Sequence, residues 1–251
     1  YDMINRIQDQ ESRLFAVAYI LREHNDYSQP CVLKAYAETQ SQNAFFVVNL
    51  IQDAIHSNSE FAMEETEKLI LDCFMSDDSC NKHEQYELAE VLCPKLSVEY
   101  PKELLRILHN CICNTVYKTA QNGYYGFSTT KAFDRISMDT TNGKLLKIYE
   151  DLLIRYSHDE TIVRPLVVEL MSLNNETTLS LAFSAIAVAP EPYDDLIRPL
   201  LVNNEQIEGY LHGDVEFFFL KMLRAWYDTL NENDAEWYQR LLLSYKSEFD
   251  F

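Results

Sequence analysis

Glycine is scarce in this chain: five in 251 residues, with seven prolines beside them. An all-β protein or a phosphate-binding α/β fold uses more glycine than that in its turns, so helix is the expected class throughout. Long apolar runs are missing as well. The longest weakly polar stretch, Leu179 to Ala189, is interrupted by serines and falls well short of the roughly 20 residues a membrane span needs. Positive charge is the third shortage, with 21 Lys and Arg against 40 Asp and Glu and a formal net charge of −19. A surface of that sign repels phosphate backbones and anionic lipid, which sets nucleic acid and membrane aside as partners. No basic segment followed by an apolar one opens the chain, since Asp2, Arg6, Asp9, Glu11 and Arg13 mix both signs. A cytoplasmic protein is the expectation.

The motifs that commit a chain to a reaction are absent too. No Gly-rich turn follows a strand-like run, so neither a Walker loop nor a dinucleotide fingerprint is present, and no cofactor is expected. Gly-x-Ser-x-Gly is missing. His83-Glu84-Gln85-Tyr86-Glu87 has Glu where a metalloprotease needs its second His. Asp77-Asp78-Ser79-Cys80-Asn81 has no second Asp-rich motif to share a cation with, and reads as a loop and helix cap. Arg106 precedes His109, and Arg155 precedes His158, by only three residues, too close for a helical ribonuclease of the Arg-x4-6-His type. On a helix His109 and Cys113 share a face while Cys111 points about 200° away, so these three do not converge on zinc. The six cysteines read as reduced core thiols. No catalytic or metal-binding residue is assigned, and the chain is expected not to be an enzyme.

What the sequence does have is acid in one place. Between Asp53 and Glu90 eleven carboxylates face two lysines, about half of the net charge. From Val91 to His158 nine basic residues meet six acidic ones, so the middle is mildly positive between negative flanks. Over Phe61 to Met75 a helical wheel gathers Ala62, Leu69, Ile70, Cys73 and Phe74 in one arc, with Glu64, Glu65, Lys68 and Asp72 opposite. That acidic face is expected to point outward. Gln121 to Gly143 lacks helical rhythm and holds three of the five glycines together with Tyr124, Tyr125 and Phe127. Such loops are often functional.

Helical patterns are expected over Asp2 to Glu23, from Pro30, and over Ala44 to Ile55, Phe61 to Met75, Lys82 to Leu92, Pro101 to Thr119, Leu145 to Tyr156, Arg164 to Leu173, Thr177 to Ala189 and Tyr193 to Val202. Asp214 to Leu230 and Asp234 to Ser247 follow as a tight antiparallel pair across Asn231-Glu232-Asn233. The expected fold is all-α: an antiparallel array or bundle of about ten helices in a single domain over 1–251, with a subdivision near 121–143 as the variant. Leu179 to Ala189, apolar all round, should be its most buried helix. Tyr149-Glu150-Asp151-Leu152-Leu153-Ile154-Arg155 is echoed by Tyr193-Asp194-Asp195-Leu196-Ile197-Arg198, and more loosely at Tyr100-Pro101-Lys102-Glu103-Leu104-Leu105-Arg106. Spacings of 40 to 50 residues would suit a HEAT-like α-solenoid, each copy opening a helix.

The run His212-Gly213-Asp214-Val215-Glu216-Phe217-Phe218-Phe219-Leu220, followed by Trp226-Tyr227-Asp228, resembles the closing helices of some bacterial polymorphic-toxin immunity proteins. The resemblance implies an acidic, helical protein that binds and blocks a cognate toxin. The leading expectation is therefore a binding protein whose acidic face docks a partner with a basic surface. Glu64, Glu65, Asp72, Asp77 and Asp78 would steer the encounter, and Tyr124, Tyr125 and Phe127 would anchor it. A solenoid scaffold for peptides or helices is the alternative, and a helical enzyme with an unrecognised site the third reading.

Overall fold

A computed structural model describes residues 6–9, 12–13, 16–17, 44–75, 87–121, 140–211 and 215–244. Among these residues there are eleven α-helices and no strand, the all-α array that the composition predicts. Most of the helix expected over Asp2 to Glu23, the one opened by Pro30, the stretch Lys82 to Tyr86 of the helix expected over Lys82 to Leu92, and most of Gln121 to Gly143 lie outside the described residues. The chain divides into two units, 1–126 with 135–149, and 127–134 with 150–251.

In the first unit, α1 (Ala44–Ala54) and α2 (Ser59–Met75) pack together, and α2 packs in turn on α4 (Pro101–Gln121). Asn58 caps α2, its Oδ1 accepting from the Phe61 amide at 3.2 Å. Ile51, Ile55, Phe61, Ile70, Leu88, Leu92, Leu104 and Leu108 form the core, each at most 2% exposed. Between α2 and α4 runs a helix that the sequence reading ended at Leu92. It continues: a π turn over Leu88–Leu92 leads into α3 (Cys93–Glu99), with the Cys93 amide donating to the Leu88 carbonyl five residues back. Pro94 explains both features. It lacks an N–H and its ring crowds the carbonyl four residues earlier, which read as a stop signal but here widens the preceding turn. α5 (Thr141–Tyr156) starts four residues ahead of expectation, because Thr140 Oγ1 accepts from the Gly143 amide at 3.0 Å and caps it. The division between the units falls within this helix.

The second unit continues with α6 (Glu160–Ser172), α7 (Glu176–Ile186), a 3-10 turn (Glu191–Tyr193), α8 (Asp194–Leu201), α9 (Asn204–Leu211), α10 (Glu216–Tyr227) and α11 (Glu232–Ser244). Every residue of α7 from Thr177 to Ile186 is buried, and α7 packs against both α6 and α10. Its apolar sequence leaves no face for water, so the helix expected to lie deepest does so within its unit. Phe183 of α7, Tyr210 of α9 and Phe219 of α10 meet as three rings, with centroids 5.1 to 5.6 Å apart. Asn174 takes a left-handed φ of 48° and Asn175 caps α7 through the Thr177 amide, closing the tight α6–α7 turn.

Both α6 and α8 hold a proline inside, Pro165 and Pro199. α6 therefore begins four residues before the expected Arg164, and α9 is a helix the sequence reading did not find. The Tyr-acid echo is not a structural repeat at all three copies. Tyr193 and Tyr100 stand just ahead of helix starts, but Tyr149 lies in the middle of α5. Glu232 and Asn233 belong to the first turn of α11, whose cap is Asn231, accepting from the Asp234 amide at 3.0 Å.

A cation between two indoles ties the last helices together. Arg198 of α8 bonds Asp194 at 2.6 Å and Asp234 at 3.0 Å, and lies 5.6 Å from the ring centres of both Trp226 and Trp237. Trp226 Nε1 donates to the other oxygen of Asp194 at 2.9 Å. Burial opposes the charge on Asp194, but the hydrogen bonds from Arg198 and Trp226 and the charge of Arg198 outweigh it and hold this carboxyl below its usual range.

Candidate functional site

A cavity of about 410 Å³ opens between the start of α2 and the start of α4, within the first unit. On α2, Glu60, Glu64 and Glu67 follow the i, i+4, i+7 spacing that sets residues in one stripe, and Met63 lies among them. On α4, Glu103, Arg106 and Ile107 face the same space, and Tyr100 and Ser59 also line it. Ile107 is 2% and Met63 9% exposed, so the floor is apolar and closed, while Glu60, Glu64 and Glu103 stand in water. Tyr100 OH lies 3.5 Å from His56 Nδ1.

Packing of α2 on α4 creates this groove. The Cys111 thiol donates to the Glu67 carbonyl at 3.5 Å, so the two backbones run close behind the floor. Thr66, Ile70 and Cys73 of α2 and Leu104, Leu108 and Cys111 of α4 are buried. What remains outside is the polar edge of each helix. Like charges one helical turn apart on α2 cost about 0.2 to 0.5 kcal/mol per pair, and Arg106 lies in the same groove. The groove carboxylates are spread out. Among the described residues no three of them bring oxygens within 4.8 Å of one another.

The structure gathers only part of the residues singled out from the sequence. Glu64 lines the groove. Asp72 is exposed further along α2, away from it. Glu65 corrects the wheel: it is 7% exposed, not outward, and pairs with Lys68 at 2.6 Å. α2 meets neighbours on more than one side, burying Glu65 and Thr66 with Phe61, Ala62 and Met63. Asp77, Asp78, Tyr124, Tyr125 and Phe127 lie outside the described residues. Glu60, Glu67 and Glu103 join the site without having been singled out. The i, i+4, i+7 stripe was visible in the sequence, whereas Glu103 arrives through tertiary packing.

A second polar group is buried in the same unit. His109 Nδ1 and Tyr149 OH are 2.7 Å apart, and Cys113 Sγ lies 3.6 Å from His109 Nε2. All three are at most 4% exposed. Cys111 points the other way, toward α2, as its place on the helix requires. Burial, with Asp72 beside Cys73 and Glu67 beside Cys111, pushes both thiols up to about 12. Burial also raises Cys93, which lies near both. These are inert core thiols.

Comparison with protein-family models, with curated proteins and with solved structures finds no match. No helix among the described residues is long and apolar enough to cross a membrane.

Proposed function

We propose that this chain is a non-enzymatic binding protein that takes a basic partner surface at the α2–α4 groove, and most concretely an immunity protein that binds and occludes a cognate toxin. The observation that carries the reading is the groove itself: four carboxylates and one arginine around a closed apolar floor. Carboxylates at the rim raise the rate of encounter with a cationic protein, and a floor of Met63 and Ile107 gives the seated side chains a dry surface. Occlusion requires no reacting group, only a footprint that covers the toxin's own site. The partly exposed Tyr100 adds an aromatic surface on which a guanidinium can stack.

The gene beside its own supplies the test. If that product is a basic toxin, co-expression with this chain restores growth, and titration calorimetry gives a Kd that weakens as salt rises from about 0.1 M to about 1 M, where the Debye length falls from about 10 to about 3 Å. The combined variant Glu60→Gln, Glu64→Gln, Glu67→Gln and Glu103→Gln should bind about thirtyfold more weakly, at about 0.5 kcal/mol for each exposed pair lost. Binding that ignores both salt and neutralisation refutes the groove as the docking site.

A further inference from the structure

α10 carries a surface of different chemistry from the acidic groove. Phe217 is 69% and Leu220 45% exposed, and Lys221 and Arg224 are exposed beside them. At 100° per residue these four fall in an arc about 100° wide. Phe219, Met222, Leu223 and Trp226, on the other side, are buried. The helix is thus seated firmly by one face while it presents an aromatic and an aliphatic side chain to water on the other. Phe218, half-buried, meets Phe217 edge to face at 5.3 Å and 87°, which restrains the exposed ring and lowers the entropy lost when something covers it.

Charge selects what that something is. Among the described residues Lys68, Lys144, Arg164, Arg198 and Arg240 each have a carboxylate partner. Lys221 and Arg224 have none there, in a chain with 40 acids to 21 bases. Two cations beside an exposed Phe and Leu complement a ligand that is apolar and acidic. We infer that the outward face of α10 docks an amphipathic segment of another protein, with two apolar residues one turn apart to cover Phe217 and Leu220 and carboxylates placed to meet Lys221 and Arg224. It is a helix-on-helix contact whose apolar pair supplies affinity and whose ion pairs set the register. This site stands apart from the proposed use of the groove, and either can fail without the other.

The net charge makes the test discriminating, because a −19 molecule attracts basic peptides everywhere and acidic ones nowhere by bulk electrostatics. A library of random 16-residue peptides displayed on phage is panned on the full chain, and the recovered peptides are titrated by fluorescence anisotropy. The expected result is enrichment of peptides with two apolar residues three or four apart flanked by Asp or Glu. Their affinity should fall at least tenfold for Phe217→Ser and for Lys221→Glu with Arg224→Glu, with circular dichroism of each variant unchanged. Acid-to-Lys peptides should recover binding to the charge-reversed variant. Selection of basic peptides only, or equal binding to the Phe217→Ser variant, overturns the inference. So does a concentration-dependent dimer in sedimentation that Phe217→Ser abolishes, since a second copy would then be the occupant.

Discussion

Replacing Phe183 and Phe217 by Ala, one at a time, applies the same chemical change to opposite sides of a single packing layer. Phe183 is fully buried on α7 and touches the Tyr210 and Phe219 rings at 5.6 and 5.5 Å. Its loss removes the transfer energy of the ring and leaves a hole between three helices, about 3 to 5 kcal/mol in all, with the ring pairs contributing about 1 kcal/mol of it. At an m-value of about 2 kcal/mol/M, that moves the urea midpoint of its unit down by about 2 M. Phe217, 69% exposed on α10, should shift it by no more than about 0.5 kcal/mol in either direction. Urea titrations followed by tryptophan fluorescence measure both, because Trp226 and Trp237 report on this unit. Phe183→Ala costing less than about 1 kcal/mol would refute the burial of α7 on all sides. Equal costs for the two would mean that α10 is turned the other way, which would also remove the docking strip.

Other outcomes follow from the same contacts. The Asp194 carboxyl titrates below its unfolded value of about 3.9, so the stability it supplies is complete above that pH and disappears as the pH falls through the folded value. Asp194→Asn should therefore flatten the acid limb of the stability curve in urea titrations between about pH 5 and 2, by less than about 1 kcal/mol because the group is partly exposed. Cys73, Cys93 and Cys111 should resist iodoacetamide at pH 8 in the folded protein and react in urea, read by peptide mass spectrometry; labelling without denaturant would contradict their burial. Asn174→Gly should leave stability unchanged or raise it by up to about 1 kcal/mol, since glycine meets φ of 48° without strain; a loss would mean that the Asn side chain is needed in the α6–α7 turn.

Sequence patterns found elements where one rule dominated and missed them where two competed. α7 was legible because its apolar run admits only burial. α9 was not, because Asn204, Glu205 and Gln206 are all polar and carry no apolar periodicity, while the buried Ile207 and Tyr210 that hold it are only two residues. Pro94, Pro165 and Pro199 each lie inside helical stretches, though local rules rank proline as a boundary; tertiary packing overrides that preference at three places. Glu64 could be picked out as an exposed acid, but the burial of Glu65 could not, since a wheel drawn for one neighbour cannot anticipate a second. The groove lay further out of reach. Glu103 stands 36 residues beyond Glu67, and nothing in either local segment says that α2 and α4 will lie side by side.

The widened turn at Leu88–Leu92 works as a phase adjustment in the helix that leads to α3. A π turn holds about one residue more than an α turn, so it takes up that residue without turning one side of the helix against the other. Leu88, Leu92 and Leu96 share the interior across it while Glu90 reaches Lys144 on the surface. A single deletion there would return the turn to ordinary pitch with its two ends still in phase, so at this spot a change in chain length is absorbed and not passed along the helix.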